Sequence, residues 1–170
     1  ISYTLGNFVE DLTLTGTANL NGTGNTLNNT ITGNAGNNII NGGAGNDTMI
    51  GGKGNDTINA STGSNTIIFE ANGADNGKDT ITLTAGADVI KAGAGDDTIK
   101  ALLTADLFKD AALVNGSING ETGTDTLLVG TNGTAFAIAN NDVWTNVTNI
   151  ETIKSVENTA VYLSKSSRVW

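Results

Sequence analysis

The sequence predicts an all-β solenoid, in which short parallel strands stack around one elongated core. Three observations predict it: a nine-residue period over most of residues 24–109, one apolar residue at a fixed place in each period, and turn-forming Gly, Asn and Asp between them. Units of this length stack because one unit cannot bury its own apolar residue. A helical interpretation fails because Gly and Asn recur every few residues.

Counted from Gly24, the chain divides into consecutive nonapeptides that are interrupted at residues 69–73 and resume at Ala74. Position 4 is usually Gly, position 6 is Asp or Asn, and position 7 is mostly Thr. Position 8 is apolar in every unit: Ile31, Ile40, Met49, Ile58, Ile67, Ile81, Ile90, Ile99, Phe108 and Leu127. Each unit is therefore a turn followed by a short strand that points one side chain inward, because side chains alternate along a strand.

The period and its interruptions also predict the organisation of the chain. The segments are an N-terminal cap with an initial strand (1–23), a first repeat block (24–68), an insertion (69–73), a second repeat block (74–109), a linker (110–119) and a C-terminal β cap (120–170). The cap begins with one further unit, GETGTDTLL, which is out of phase with the others. We expect Trp144, Tyr162 and Trp170 to pack within this cap.

The net charge of the chain indicates which kinds of molecule it can bind. The formal net charge is −9, from 17 Asp and Glu against 8 Lys and Arg. Nucleic-acid binding depends on basic residues that neutralise phosphates, so we expect no nucleic-acid partner. Most of the acids are Asp, whose short carboxylate suits turns and divalent cations. No apolar run approaches the roughly 20 residues of a membrane helix, so we expect no membrane span.

The chain contains no Cys and no His. Disulfides, zinc–thiolate sites and nucleophile systems of the Ser-His-Asp or Cys-His type are therefore excluded. Paired carboxylates can carry acid–base chemistry, but here metal binding accounts for their repeat spacing. We expect no catalytic residue and no enzymatic activity in this segment.

Two adjacent units, GGAGNDTMI (42–50) and GGKGNDTIN (51–59), match the pattern GGxGxDxUx at every defined position, where U is a large aliphatic residue. Over about residues 16–109 the chain resembles the RTX, or hemolysin-type, calcium-binding repeats. The resemblance implies a right-handed parallel β-roll in which two nonapeptides complete one coil, so that turns two units apart are stacked. It also implies Ca²⁺ ions between stacked turns, held by carbonyl groups of Gly-rich positions and by position-6 carboxylates.

The ligands that the resemblance implies are position-6 side chains and turn glycines: Asp47, Asp56, Asp79, Asp88, Asp97, Asp106, Asn38, Gly43, Gly45, Gly52, Gly54, Gly77, Gly93 and Gly95. In the first block each Asp is stacked on Asn, so no Asp–Asp pair is expected there. In the second block Asp79 is expected to stack with Asp97, and Asp88 with Asp106. The Asp79–Asp97 pair is the stronger candidate because the unit of Asp106 lacks its glycines. We expect about two to four ions.

Elementary electrostatics gives an independent reason for a cation at this place. Stacked turns lie about 4.8 Å apart, where two carboxylates repel by about 3–4 kcal/mol at an effective dielectric constant near 20. Ca²⁺ prefers six to eight oxygen ligands at about 2.3–2.6 Å, so one ion fits between two turns. Ion binding and folding then become one equilibrium.

The sequence therefore predicts a calcium-binding structural module that folds outside the cell, within a large secreted or cell-surface bacterial protein resembling surface-layer proteins or adhesins. The alternative is a C-terminal stabilising or secretion domain of a type I-secreted enzyme, such as a protease, lipase or epimerase. Ice binding by position-7 Thr ranks is disfavoured because Ile39 and Val89 interrupt them; carbohydrate binding by the cap is a further alternative. The expected partners are calcium, cell-surface polysaccharide and neighbouring modules.

Overall fold

The computed structural model describes residues 2–69, 77–84, 86–101, 116–130, 136–138, 146–155 and 161–163. Within these ranges the chain forms short strands joined by turns, and every strand pairing is parallel. No helix in these ranges has the length and apolarity needed to cross a bilayer.

Two sheets contain most of the strands, and successive strands of the chain alternate between them. The first sheet is formed by β1 (Ser2–Thr4), β3 (Asn21–Thr23), β5 (Ile39–Asn41), β7 (Thr57–Asn59), β9 (Thr80–Leu83), β11 (Thr98–Ala101), β13 (Thr126–Val129) and β16 (Thr152–Ser155). The second is formed by β2 (Asp11–Thr13), β4 (Thr30–Thr32), β6 (Thr48–Ile50), β8 (Thr66–Ile68), β10 (Val89–Lys91), β12 (Ser117–Asn119) and β15 (Val147–Thr148). A separate parallel pair joins β14 (Phe136–Ile138) to β17 (Val161–Leu163).

Each coil of the molecule thus contains one strand of each sheet and two turns. The strands are short because Gly-rich turns interrupt the chain every few residues, and they are strands because Thr and Ile favour the extended backbone. Strands two units apart pair in register, for example Thr48 with Thr66 and Met49 with Ile67. This arrangement confirms the predicted all-β fold and the parallel β-roll.

The core lies between the two sheets and consists mainly of the position-8 column. These side chains are fully buried: Ile31, Ile40, Met49, Ile58, Ile67, Ile81, Ile90, Ile99, Ile118 and Leu127. Neighbouring members of the column are brought together by the strand register, as in the pairing of Ile99 with Leu127. The repeat period therefore predicted the core correctly, apart from the one position discussed next.

The chain departs from the predicted register after β11. The strand that pairs with β10 is β12, with Val89 opposite Ser117 and Ile90 opposite Ile118. Ile118 therefore follows Ile90 in the core column, whereas Phe108, which the period predicted for the column, lies outside the described residues. The predicted linker over 110–119 is accordingly wrong for Ser117–Asn119, which is a strand of the roll.

The same offset explains the last unit. GETGTDTLL at 120–128 is out of phase in the sequence, yet Thr126 pairs with Thr98 and Leu127 with Ile99. The longer connection between β11 and β12 adds the same number of residues before β12 and before β13. Both strands therefore pair in register with the earlier coils.

Candidate metal centre

Two rows of polar side chains run along the edges of the roll, each residue directly preceding a strand. The residues before the first-sheet strands form what we term the acidic column: Asn38, Asp56, Asp79, Asp97, Asp125 and Glu151. The residues before the second-sheet strands form the alternating column: Asn29, Asp47, Asn65 and Asp88. Except for Glu151, which is exposed, these side chains are almost completely buried.

The columns are held by hydrogen bonds between stacked turns. In the acidic column, each backbone N–H donates to a side-chain oxygen of the residue in the next coil: Asn38 to Asp56 (2.7 Å), Asp56 to Asp79 (2.7 Å), Asp79 to Asp97 (2.9 Å), Asp97 to Asp125 (2.9 Å) and Asp125 to Glu151 (2.8 Å). The alternating column repeats the pattern: Asn29 to Asp47 (2.8 Å), Asp47 to Asn65 (2.9 Å) and Asn65 to Asp88 (2.8 Å). In every column residue except Asn29 and Asn38, which accept N–H groups of their own turns, one side-chain oxygen therefore joins two coils.

The second carboxylate oxygen has a different environment. Oδ2 of Asp47 and Oδ2 of Asp125 are both buried and have no hydrogen-bond partner among the described residues. A buried carboxylate oxygen without a partner carries a desolvation penalty, and native proteins seldom leave such atoms unsatisfied. These oxygens therefore point to a ligand that the polypeptide does not supply.

Glycine lines the space beside these oxygens. A Cβ atom built on Gly42 would lie 2.5 Å from Oδ2 of Asp47 and 3.1 Å from the carbonyl oxygen of Ala60, in the next stacked turn. A Cβ on Gly120 would likewise meet Oδ2 of Asp125 and the carbonyl oxygen of Asn149. A carboxylate and a carbonyl from two turns thus face one small space that only glycine leaves open.

The predicted glycines occupy these turns, and several have left-handed φ angles: Gly43, Gly45, Gly52, Gly54, Gly93 and Gly95. At Gly43 (φ 98°) and Gly52 (φ 100°) this conformation is one that residues with a Cβ rarely adopt. Gly77, also predicted, lies close to the preceding stacked turn, where a Cβ would meet the carbonyl oxygen of Gly54. Carbonyl groups of several turns are thereby brought beside the columns.

Burial perturbs the acids in these columns. Desolvation raises the pKa of Asp88 to about 6, although hydrogen bonds from Asn65 act in the opposite direction. Desolvation also raises the pKa of Asp47, against the effect of the Asn29 N–H. The pKa of Asp125 is raised by desolvation first, opposed by the Asp97 N–H, with further increases from the charges of Glu151 and Asp96. Each shift indicates a carboxylate whose negative charge the surrounding protein does not fully compensate.

The donor set suits a hard cation that accepts carbonyl ligands. In the described part of the chain, no group of three acidic side chains converges on one point. An ion here would therefore take one or two carboxylates and complete its shell with main-chain carbonyl oxygens. Ca²⁺ tolerates such a mixed and flexible oxygen shell, whereas Mg²⁺ demands a near-ideal octahedron and retains waters. The residues present fit Ca²⁺.

The structure brings together some of the predicted pairs. Asp79 and Asp97 are adjacent in the acidic column, and Asp47 lies between Asn29 and Asn65, as expected. β10 pairs with β12, so the residue opposite Asp88 among the described residues is the one that directly precedes Ser117, which is Gly116. Asp106 itself lies outside the described residues.

Three features of the acidic column were missed. Asp56 was expected to meet only Asn38, but the backbone N–H of Asp56 also donates to Asp79 across the insertion. Asp125 and Glu151 continue the column beyond Asp97. The internal spacing of the unit containing Asp125 was visible in the sequence, but Glu151 lies in a segment with no repeat pattern. The result is a run of four successive aspartates, ending at a glutamate.

Comparison with known families agrees with this geometry. A family model for the RTX calcium-binding nonapeptide repeat (four copies) matches residues 23–58, 50–68 and 73–107. These residues form an RTX calcium-binding repeat module. No curated protein and no solved structure matches the chain. In the RTX module, Asp56, Asp79 and Asp97 are the column residues that would hold Ca²⁺ on the first edge, and Asp47 and Asp88 those on the second.

Proposed function

We propose that this chain is a calcium-dependent folding module of a secreted or cell-surface bacterial protein, and that it has no catalytic activity of its own. The observation that supports this function best is the acidic column. Asp56, Asp79, Asp97 and Asp125 follow one another in a single hydrogen-bonded ladder and are all buried. A column of buried, stacked aspartates is suited to binding a cation.

The physical basis is charge repulsion between stacked coils. Carboxylates about 4.8 Å apart repel by about 3 kcal/mol at an effective dielectric constant near 20. Each coil added to the column therefore adds a further repulsion energy to the free energy of folding. In the absence of metal, the burial of one apolar residue per unit must offset it. Ca²⁺ between the turns replaces repulsion with attraction, and it also binds turn carbonyl groups. Metal binding and folding of the coils are then coupled.

Coupled folding supports our proposal that the module acts outside the cell. Extracellular calcium modules commonly have dissociation constants of about 10⁻⁴–10⁻³ M. Cytosolic Ca²⁺ lies well below that range, so the coils would stay unfolded before export and fold after it. A type I-secreted surface-layer or adhesin-like protein, or a type I-secreted enzyme that carries this module as a stabilising domain, would use this difference between compartments.

The test is a far-UV circular dichroism titration of the full chain. In EGTA, we expect the β signal to be reduced, and in millimolar Ca²⁺ it should rise cooperatively. Millimolar Mg²⁺ is the control and should not restore it, because Mg²⁺ tolerates carbonyl-rich shells poorly. A spectrum that is unchanged by exhaustive chelation would contradict the proposal.

We propose that about two to four ions bind. Two candidate sites lie along the acidic column, one between Asp56 and Asp79 and one between Asp79 and Asp97. A third candidate site would use Asp125 and Glu151. Native mass spectrometry in Ca²⁺ gives the number directly. A count near zero would contradict the proposal, whereas one ion per repeat unit would show that Asn-containing turns also bind.

A further inference from the structure

The first stacked turns of the roll are built differently from the later ones. In the turns that begin at Gly24 and Gly33, the second residue is Asn25 or Asn34, whereas the turns beginning at Gly42 and Gly51 have glycine there. Neither Asn25 nor Asn34 has a positive φ, unlike Gly43 and Gly52. The side chain therefore changes the conformation of the turn as well as its chemistry.

Both asparagine amides reach back to the preceding turn. Nδ2 of Asn25 donates to the carbonyl oxygens of Gly6 (2.7 Å) and Val9 (2.8 Å). Nδ2 of Asn34 donates to the carbonyl oxygens of Thr15 (3.2 Å) and Ala18 (2.9 Å). Each amide group thus satisfies two turn carbonyls of the neighbouring coil, which is what a cation between the turns would do.

The amide oxygens are used as well. Oδ1 of Asn25 accepts the N–H of Leu27 (2.8 Å), and Oδ1 of Asn34 accepts the N–H of Gly36 (2.9 Å). Each side chain therefore closes its own turn while it binds the previous one. All the hydrogen-bonding groups of these two amides have partners within the protein.

The column residues of the same two turns are neutral. Asn29 and Asn38 replace the aspartates of the later coils, and each accepts an N–H from its own turn, from Asn25 or Asn34 respectively (2.8 Å in both cases). Nδ2 of Asn38 donates to the carbonyl oxygen of Leu20 (2.9 Å). No carboxylate at these column positions repels another, so a cation is not needed to hold the turns together.

We propose that the side-chain amides of Asn25 and Asn34 take the place of Ca²⁺ between the first stacked turns, so that these coils fold without metal. They then present a formed edge on which the calcium-dependent coils assemble, since a repeat stack propagates from any coil that is already ordered. This inference rests on the calcium-dependent folding proposed above.

Hydrogen exchange of the full chain in EGTA tests it. The N–H groups of Leu5, Leu14 and Thr30 donate to carbonyls of neighbouring coils at the amide-linked end, to Thr23, Thr32 and Glu10 respectively. We expect these to stay protected without Ca²⁺. The N–H groups of Thr98 and Thr126, which donate to Asp79 and Asp97, should exchange rapidly until Ca²⁺ is added.

A double variant and a matched control locate the effect. Asn25→Ala with Asn34→Ala should reduce the protection of the first coils in EGTA by about tenfold, because the amide links are lost. Asn28→Ala with Asn37→Ala is the control: these asparagines lie in the same turns but accept N–H groups of the following turns, from Asn46 and Asn55. The control should leave the first coils protected. Equal losses in both variants would overturn the proposal.

Conversion of the turns gives an independent readout. A chain with Asn25→Gly, Asn29→Asp, Asn34→Gly and Asn38→Asp should bind about one or two additional ions by native mass spectrometry. An unchanged count would overturn the role of the amides, whether or not the rest of the chain needs calcium to fold. Complete exchange of the first coils of the natural chain in EGTA would also overturn it, yet would leave calcium-dependent folding intact. Protection of every coil in EGTA would instead contradict the proposed function.

Discussion

Along the acidic column four aspartates follow one another from Asp56 to Asp125, whereas along the alternating column an asparagine separates Asp47 from Asp88. The hydrogen bonds that join successive coils are nevertheless alike. They measure 2.7–2.9 Å between the aspartates of the acidic column and 2.8–2.9 Å in the alternating column. Asn and Asp therefore serve equally well as acceptors in the ladder, but they differ in charge and in the amide N–H groups that Asn donates to turn carbonyls.

This comparison separates two roles of the position-6 side chain. The acceptor oxygen joins neighbouring coils, and an amide performs that role as well as a carboxylate does. The negative charge is unnecessary for the ladder and costs free energy through burial and repulsion. We infer that the charge is retained for the cation, and that the two edges of the roll differ in how strongly they depend on it.

The largest expected effect follows from neutralising the middle of the acidic column. Asp97→Asn keeps an acceptor for the Asp79 N–H but removes repulsion with both Asp79 and Asp125. We expect the metal-free chain to be stabilised by about 2 kcal/mol and the Ca²⁺ midpoint to rise by about tenfold, because a ligand charge is lost. Circular dichroism titrations with and without Ca²⁺ measure both quantities.

Asp47→Asn is the matched control on the other edge. Asp47 has only asparagine neighbours, so its neutralisation relieves no repulsion within the column. The Ca²⁺ midpoint should rise by about twofold, and metal-free stability should increase less than in Asp97→Asn, because only the burial cost of the charge is relieved. Equal shifts for the two variants would show that the charge density of a column does not set its dependence on calcium.

The converse change adds charge to the alternating column. Asn65→Asp would place three aspartates in succession, because Asn65 lies between Asp47 and Asp88. We expect metal-free order to fall by about 1–2 kcal/mol and the number of bound ions to rise by about one. Thermal melts in EGTA and native mass spectrometry measure these effects. A variant that loses order without gaining an ion would show that this edge lacks the other ligands.

The repeat period predicted the fold well because each unit carries its own core residue and its own turn. It missed the strand at Ser117–Asn119. The period continues in the sequence to Asp106 and Phe108, which lie outside the described residues, whereas the strand that pairs with β10 is preceded by Gly116 and not by Asp. Local spacing could not reveal this strand, because its register is decided by how much chain separates β11 from β12.

The candidate site was predicted less completely, for a related reason. Asp79 and Asp97 were found because the strict period relates them, but the Asp56–Asp79 contact spans an insertion that the period does not count. Glu151 was missed because no pattern surrounds it. The amide links of Asn25 and Asn34 depend on the backbone conformation of their turns, which differs from that of the glycine turns.

The pH dependence of metal-free stability tests the burial of one acid, Asp88. Because burial raises the pKa of Asp88 from 3.8 to about 6, the folded metal-free chain binds more protons than the unfolded chain. Its stability is therefore greatest at low pH and declines as the pH rises from about 4 to about 6. Lowering the pH from 7 to 5 should stabilise metal-free protein by about 1 kcal/mol. Thermal melts after removal of metal on a chelating resin measure this.

The control for the pH effect is Asp88→Asn, which keeps an acceptor for the Asn65 N–H and should make the metal-free stability less dependent on pH. With Ca²⁺ bound the sign should reverse, because protons compete with the ion for the carboxylate. Metal-free order that increases with pH would contradict the burial of Asp88 as an uncompensated acid.

The smallest effect is expected outside the columns, at the ion pair between Lys78 and Asp96. Its Nζ and Oδ2 atoms are 2.7 Å apart, and the two side chains are 67% and 50% exposed. Solvent screens such pairs strongly, so Lys78→Ala should leave the Ca²⁺ midpoint within error, although Lys78 and Asp96 adjoin Asp79 and Asp97 in sequence. A shift comparable with that of Asp97→Asn would mean that the general negative field of this edge, and not the buried ladder, controls calcium binding. Repeating the titration in about 0.5 M NaCl would separate the two, because salt screens only the exposed charges.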